Sequence, residues 1–158
     1  MYSWTMSENK SKLRWGIDHI GVRCGWVVHD GHGRVLMMKR GPKARDEHGA
    51  WEFGGGAVEF GESIDEAVRR ELLEELGVKE ADIEFLAFRD IHRKTPGGQP
   101  MHSISLIHGV KVDPKAPKIG EPEAISEIGW FTKDTLPTPL HILANKTLDV
   151  ALKHGLLR

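Results

Sequence analysis

Apolar positions along the chain change their period in a readable order. From Ile17 to Val28 they run almost unbroken. Asp30-Gly31 intervenes, and Val35-Leu36-Met37-Met38 follows before Lys39-Arg40. Two apolar runs about Asp-Gly predict a β-hairpin. Residues 41–50 carry breakers and charges and read as a loop. Trp51-Glu52-Phe53 alternates like a short strand and runs into Gly54-Gly55-Gly56, and Ala57 to Phe60 could extend a second one. The period then turns helical. Ser63 with Glu66 three residues later is a capping box, so a helix should start at Ile64, and Gly77 supplies its stop. That makes about 13 residues, or ~20 Å at 1.5 Å per residue. Strand-like runs follow at 82–90 and 101–112 around a turn at 94–100. Residues 113–124 hold three prolines and a glycine and read as a long loop. Ile128-Gly129-Trp130-Phe131 is a last strand, and 139–154 has the spacing of a closing helix.

Composition narrows what such a chain can be. At 158 residues, 39% hydrophobic and 28% charged, it suits one folded domain. Residues 1–12 read as a flexible tail and 13–158 as the domain. The 22 basic and 23 acidic side chains leave a formal net charge of −1. No global field holds such a chain on nucleic acid or an anionic membrane, so neither a stable nucleic acid complex nor a membrane is expected. One cysteine, Cys24, excludes an intrachain disulfide and favours a reducing compartment. The N-terminus lacks a leader pattern, so the expected location is cytoplasmic.

The chemistry concentrates in Gly56 to Val78. On a helical wheel Ile64, Val68, Leu72 and Leu76 form an apolar stripe. Glu71, Glu74 and Glu75 share one arc of roughly 100° that overlaps the stripe's edge. A solvated charged face should lie opposite the stripe and mix its signs. Three like charges beside the buried side instead repel one another and call for compensation. A divalent cation provides it, and oxygen ligands select Mg²⁺, Mn²⁺ or Ca²⁺ over zinc. Arg70 compensates in part. Gly54-Gly55-Gly56 would let backbone approach a metal or phosphate closely.

These residues stand in a known pattern. Gly56, Glu62, Arg70-Glu71-Leu72, Glu74-Glu75 and Gly77-Val78 fill every fixed position of G-x5-E-x7-R-E-U-x-E-E-x-G-U, with U a bulky aliphatic. The chain therefore resembles the Nudix hydrolases (MutT-like pyrophosphohydrolases). The flanks resemble the family as well: Lys39-Arg40 closing a hairpin, Trp51-Glu52-Phe53 before the glycines, and Gly129-Trp130-Phe131 late in the chain. One departure is Gly54, where many members have proline.

The resemblance implies an α/β/α sandwich around a mixed β-sheet, in the α/β class. It implies cleavage of nucleoside diphosphate-X compounds by attack of water at phosphorus, with Mg²⁺ as cofactor and Mn²⁺ as a substitute. By this resemblance Glu74 and Glu75 would bind the metal, with the Gly56 carbonyl as an extra ligand. Glu71 would bind metal or take a proton from water. Arg70 would hold Glu71, and Glu62 would be a supporting acid. A further acid would come from Glu121 or Glu123. Arg40 would bind phosphate, with Lys43 and Arg45 as weaker candidates. The partner is a small-molecule nucleotide, and relatives are often homodimers.

Substrate marks are thinner. The only tyrosine, Tyr2, is far from the position used by the dinucleoside polyphosphate group. The proline mark of the ADP-ribose group falls on His92, and the coenzyme A signature is absent. Nucleoside triphosphates, cleaved to monophosphate and pyrophosphate, are the leading expectation. ADP-ribose, nucleotide sugars or a non-catalytic nucleotide-binding module are the alternatives. The nine histidines show no metal spacing and read as structural or surface groups. Trp51, Trp130 and Cys24 read as core.

Overall fold

The protein is described by a computed structural model over residues 13–158, and the tail assigned to 1–12 lies outside the described residues. Six strands and two helices follow in the order β1 (Gly21–His29), β2 (Val35–Arg40), β3 (Trp51–Glu52), α1 (Ile64–Leu76), β4 (Asp82–Lys94), β5 (Pro100–Lys111), β6 (Ile125–Phe131) and α2 (Ala144–Lys153), with a 3₁₀ turn at Lys133–Thr135.

The sheet is mixed. β1 pairs parallel with β5 from Gly21↔Ser103 to His29↔Lys111, and every other pairing between these strands is antiparallel. The expected hairpin at Asp30-Gly31 closes only at its root, where His29 opposes Val35. Beyond that β2 diverges from β1, taking β6 along one edge and β3 on the other. The segment after β3 fills the opening, with Cys24 N–H donating to the Gly56 carbonyl at 3.0 Å and Trp26 N–H to the Gly54 carbonyl at 3.2 Å. The sheet thus forks, and the glycine loop sits in the fork.

Both faces of the sheet are covered, which explains why β1 and β2 read as continuous apolar runs. Cys24, Trp26, Val28, Leu36 and Met38 pack with Val68, Leu72 and Leu76 of α1. Val27, Val35 and Met37 point the other way and pack with Ala144, Leu148 and Ala151 of α2. The result is the α/β/α sandwich.

Helix α1 has the expected bounds. Ser63 and Glu66 form the capping box, and Gly77 closes the helix at φ 63°. Several other expectations shift. β1 begins at Gly21 because Arg14–Asp18 turns, tied by Asp18 to the Arg14 backbone and guanidinium. Ala57 meets β1 only at the isolated bridge to Arg23. The closing helix starts at Ala144 rather than 139. The preceding residues serve β3 instead: Trp51 N–H donates to the Pro139 carbonyl, and His141 N–H to the Trp51 carbonyl. The Thr138–Pro139 peptide is cis. Trp51 and Cys24 are buried as read, whereas Trp130 is half-buried, its indole N–H on the Pro114 carbonyl.

Candidate active site

The capping box fixes where α1 begins, and the stripe of Val68, Leu72 and Leu76 fixes its rotation. Each such side chain contributes about 1.5–3 kcal/mol on full burial. Rotation in turn sets the carboxylates: Glu71 and Glu75 lie beside the stripe and are half-buried, while Glu74, further round, is exposed.

Arg70 ties the acids together. Its Nη1 donates to Glu71 Oε1 at 2.7 Å and to Glu74 Oε2 at 3.3 Å. Its Nε and Nη2 form a fork on the two oxygens of Glu62 at 3.1 and 2.8 Å, and Nη2 also donates to the Ala57 carbonyl at 3.0 Å. Only a planar guanidinium reaches four groups this way. Glu62 is held low by Arg70 and by the Glu59 N–H. Glu62 therefore anchors Arg70, and Arg70 aims Glu71.

The glycines have a measurable reason. A Cβ on Gly56 would overlap the Glu71 carboxylate, and one on Gly54 would overlap the ring of Trp26 and crowd Glu75. Glycine at 54, where many Nudix members have proline, thus makes room for a tryptophan beneath the loop. Gly55 N–H donates to Glu75 Oε2 at 3.2 Å. Burial pushes the Glu75 carboxyl well up, Glu71 adds to the shift, and the Gly55 N–H opposes it. Burial also raises Glu71 against the pull of Arg70. Glu71 and Glu75, both costly to ionise, stand with Glu74 as oxygen donors beside the glycine loop, where the Gly56 carbonyl spends one lone pair on Cys24. These donors fit a hard divalent cation.

The loop of 113–124 is mounted on α1. Lys118 N–H donates to the Leu76 carbonyl and Gly120 N–H to the Glu75 carbonyl, both at 2.9 Å. This mounting separates the two late acids. Glu121 stands close enough to raise both Glu71 and Glu75. Glu123 is exposed and paired with Lys43 at 2.7 Å.

The three candidate phosphate-binding cations are all met by carboxylates. Arg40 contacts Asp46 at 2.8 Å and also Glu52, Lys43 holds Glu123, and Arg45 lies 3.6 Å from Asp46. Arg40 is thereby fixed in place in the wall of a hollow of about 410 Å³, which runs from the glycine loop and Glu75 along the α2 face of the sheet.

That hollow contains groups sequence reading missed. Arg23 on β1 and Arg89 and Arg93 on β4 point into it beside Ser103, Ser105 and His141. Arg93 pairs with Asp46 at 2.8 Å. Arg89 donates to Leu143 O and Thr147 Oγ1. Arg23 donates to Gly55 O at 3.3 Å, while its buried Nε has no partner among the described residues. Burial lowers Arg23, with Glu52 and Glu75 opposing. The available signal was parity: Arg23 shares the strand face of Gly25 and Val27.

Comparison with known proteins places the fold in a family. The NUDIX domain family model matches residues 19–150, and the chain belongs to that family. Among relatives, an RNA pyrophosphohydrolase of Teredinibacter turnerae is 42% identical over 73 residues, which is 45% of this chain and 40% of that protein. A nucleoside triphosphatase NudI of Enterobacter sp. is 32% identical over 111 residues, 68% of this chain and 79% of that protein. The solved structure of a MutT NUDIX hydrolase from Burkholderia pseudomallei, 32% identical, superposes with a TM-score of 0.68 over 83% of this chain and 97% of the other. The chain spans about two fifths of the first relative's length. Among the described residues no helix is long and apolar enough to cross a membrane.

Proposed function

We propose that the protein is a Mg²⁺-dependent pyrophosphohydrolase of nucleoside diphosphate-X compounds, with nucleoside triphosphates as the leading substrates and monophosphate plus pyrophosphate as products. The observation that carries this reading is the pair of half-buried acids, Glu71 and Glu75, set against a glycine loop that has no room for a Cβ. Similarity to a nucleoside triphosphatase supports the substrate class.

Glu71, Glu74, Glu75 and the Gly56 carbonyl would hold the cation, with Glu121, whose charge bears on both Glu71 and Glu75, as the further acid. Bound there, the cation supplies charge neutralisation of the diphosphate and acidification of water. The protein's own groups do the positioning. Arg70 fixes the Glu71 carboxylate through a charge-assisted hydrogen bond, and Glu62 keeps Arg70 from swinging away. Glu71, raised by burial, is suited to accept a proton from the attacking water. Arg40, held by Asp46 and Glu52, presents its remaining donor capacity to phosphate oxygens at the mouth of the hollow. The hollow takes the group attached to the diphosphate.

The test is a phosphate-release screen with coupled phosphatase or pyrophosphatase. It covers ordinary and oxidised nucleoside triphosphates, ADP-ribose and nucleotide sugars, each with Mg²⁺, Mn²⁺ or EDTA and with Glu74→Gln alongside. Metal-dependent release lost in the variant is the expected result. Silence across the panel, with saturable nucleotide binding by calorimetry, would replace it with a binding role.

A further inference from the structure

Away from the acidic cluster, the β4–β5 hairpin brings together residues that no linear spacing connects. His92 and His102 are directly opposed across the strand pair. Asp90 precedes His92 by two residues, so its side chain emerges on the same sheet face. The two imidazoles stack with centroids 4.2 Å apart and planes 23° from parallel. Asp90 Oδ1 lies 3.2 Å from His102 Nε2. One ligand atom from each of the three side chains lies within 4.8 Å of the other two.

We propose that Asp90, His92 and His102 form a second metal site, selective for a borderline transition-metal dication such as Zn²⁺ and independent of the oxygen-lined site. An Asp–His surface pair would account for one imidazole only. Here a second ring nitrogen lies within 4.8 Å of both, and two nitrogens with one carboxylate is a donor set that Zn²⁺ prefers and Mg²⁺ does not. Zn–N bonds of about 2.0–2.1 Å in a tetrahedron set ligand atoms about 3.4 Å apart. Closing the trio from its present reach of 4.8 Å to that spacing turns the two imidazoles out of their stack so that their nitrogens converge with Asp90 on one ion. The backbone is already fixed by continuous β4–β5 pairing on both sides of the site. Asp90 and His92 are exposed and His102 is half-buried, so the ion enters freely and water or a fourth donor completes the shell.

The site also has a structural role. Arg89, Ile91 and Arg93 alternate with Asp90 and His92 and line the hollow on the opposite face. An ion bridging His92 to His102 clamps β4 to β5 behind that wall.

The experiment is a titration of the full chain with Zn²⁺, and with Co²⁺ as a spectroscopic probe, in excess Mg²⁺ so that the oxygen site is engaged. One equivalent should bind, Co²⁺ should show visible ligand-field bands of nitrogen-containing coordination, and hydrogen exchange of the β4 and β5 amides should slow. His92→Ala and His102→Ala should each weaken binding by on the order of 10-fold or more and abolish the exchange protection, while keeping the parent's Tm in EDTA. Glu74→Gln and Glu75→Gln should leave Zn²⁺ affinity unchanged. No binding, undiminished binding in both histidine variants, or loss of binding in the glutamate variants would overturn the site. None of these readouts depends on hydrolysis, so the catalytic reading stands or falls separately.

Discussion

Gly56 and Glu71 share a space that holds only one of two things, a side-chain methyl at 56 or the carboxylate of 71. The motif glycine is thus a packing partner of the motif glutamate. Gly56→Ala should push Glu71 aside and lower kcat by about 100-fold, the usual cost of a displacement near 1 Å at a reacting centre. Circular dichroism should show an intact fold. A variant with parental kcat would mean that Glu71 is not where the chemistry happens.

Glu75 predicts a pH dependence of stability. Its carboxyl sits well above the ordinary value, chiefly through burial. Between the unfolded and folded pKa values the native state holds more protons than the unfolded one, so stability falls as pH rises through that window. Glu75→Gln keeps an acceptor for the Gly55 N–H and removes the charge. It should raise Tm at neutral pH in EDTA, flatten the slope from acid to neutral pH, and lower turnover by orders of magnitude. A fall in Tm would show that Glu75 is stabilised as an anion.

Arg70 and Glu62 form a positioning unit. Arg70→Lys retains a charge but loses the fork on Glu62 and the simultaneous reach to Glu71. The expected loss is about 10–100-fold, as for other groups that orient ligands, and it should fall on kcat more than on KM. Steady-state kinetics at saturating Mg²⁺ separates the two.

The late acids should part company. Glu121→Gln should reduce turnover and Mg²⁺ affinity because Glu121 acts on both Glu71 and Glu75. Glu123→Gln should change neither by more than a small factor, since an exposed pair such as Lys43–Glu123 contributes about 0–1 kcal/mol. Metal titrations of initial rate distinguish the two variants, and equal effects would contradict the placement.

Arg23 lines the hollow proposed to take the substrate. Its Nε is buried without a partner among the described residues, which carries a penalty in the free protein. Arg23→Gln should match or exceed the parent's Tm while lowering kcat/KM on whichever nucleotide is the best substrate. Thermal denaturation and kinetics read the two effects separately. A drop in both would make Arg23 a structural residue.

The acidic helix was legible because its information is local. A capping box, an apolar stripe and a left-handed stop lie within 15 residues, and together they determine which way Glu71 and Glu75 face. The glycine loop was legible as a place of close approach, though not that Trp26 and Glu71 are what approach it. What escaped was whatever depends on distant strands meeting. The Asp30-Gly31 signal predicts a hairpin, but the glycine loop takes the β2-side edge of β1, with Cys24 N–H on the Gly56 carbonyl and Trp26 N–H on the Gly54 carbonyl, so the hairpin parts after His29↔Val35. The spacing at 139–154 was correctly helical in its second half. β3 claims the backbone of Pro139 and His141 first. Arg23, Arg89 and Arg93 become neighbours only when β1, β5 and β4 align. Neither Arg40's partners nor the choice between Glu121 and Glu123 follows from sequence distance.

The hydrogen bonds from Lys118 and Gly120 to the last carbonyls of α1 have an evolutionary corollary. They make the helix its own reference frame: the segment that delivers Glu121 is measured from the end of the element that carries Glu71 and Glu75, not from the strands on either side of it. Insertions or deletions between Asp113 and Pro117 change the path of the chain before that anchor and leave Glu121 in register. A peptide tag added in this stretch should therefore cost the Trp130–Pro114 hydrogen bond before it touches the acidic cluster.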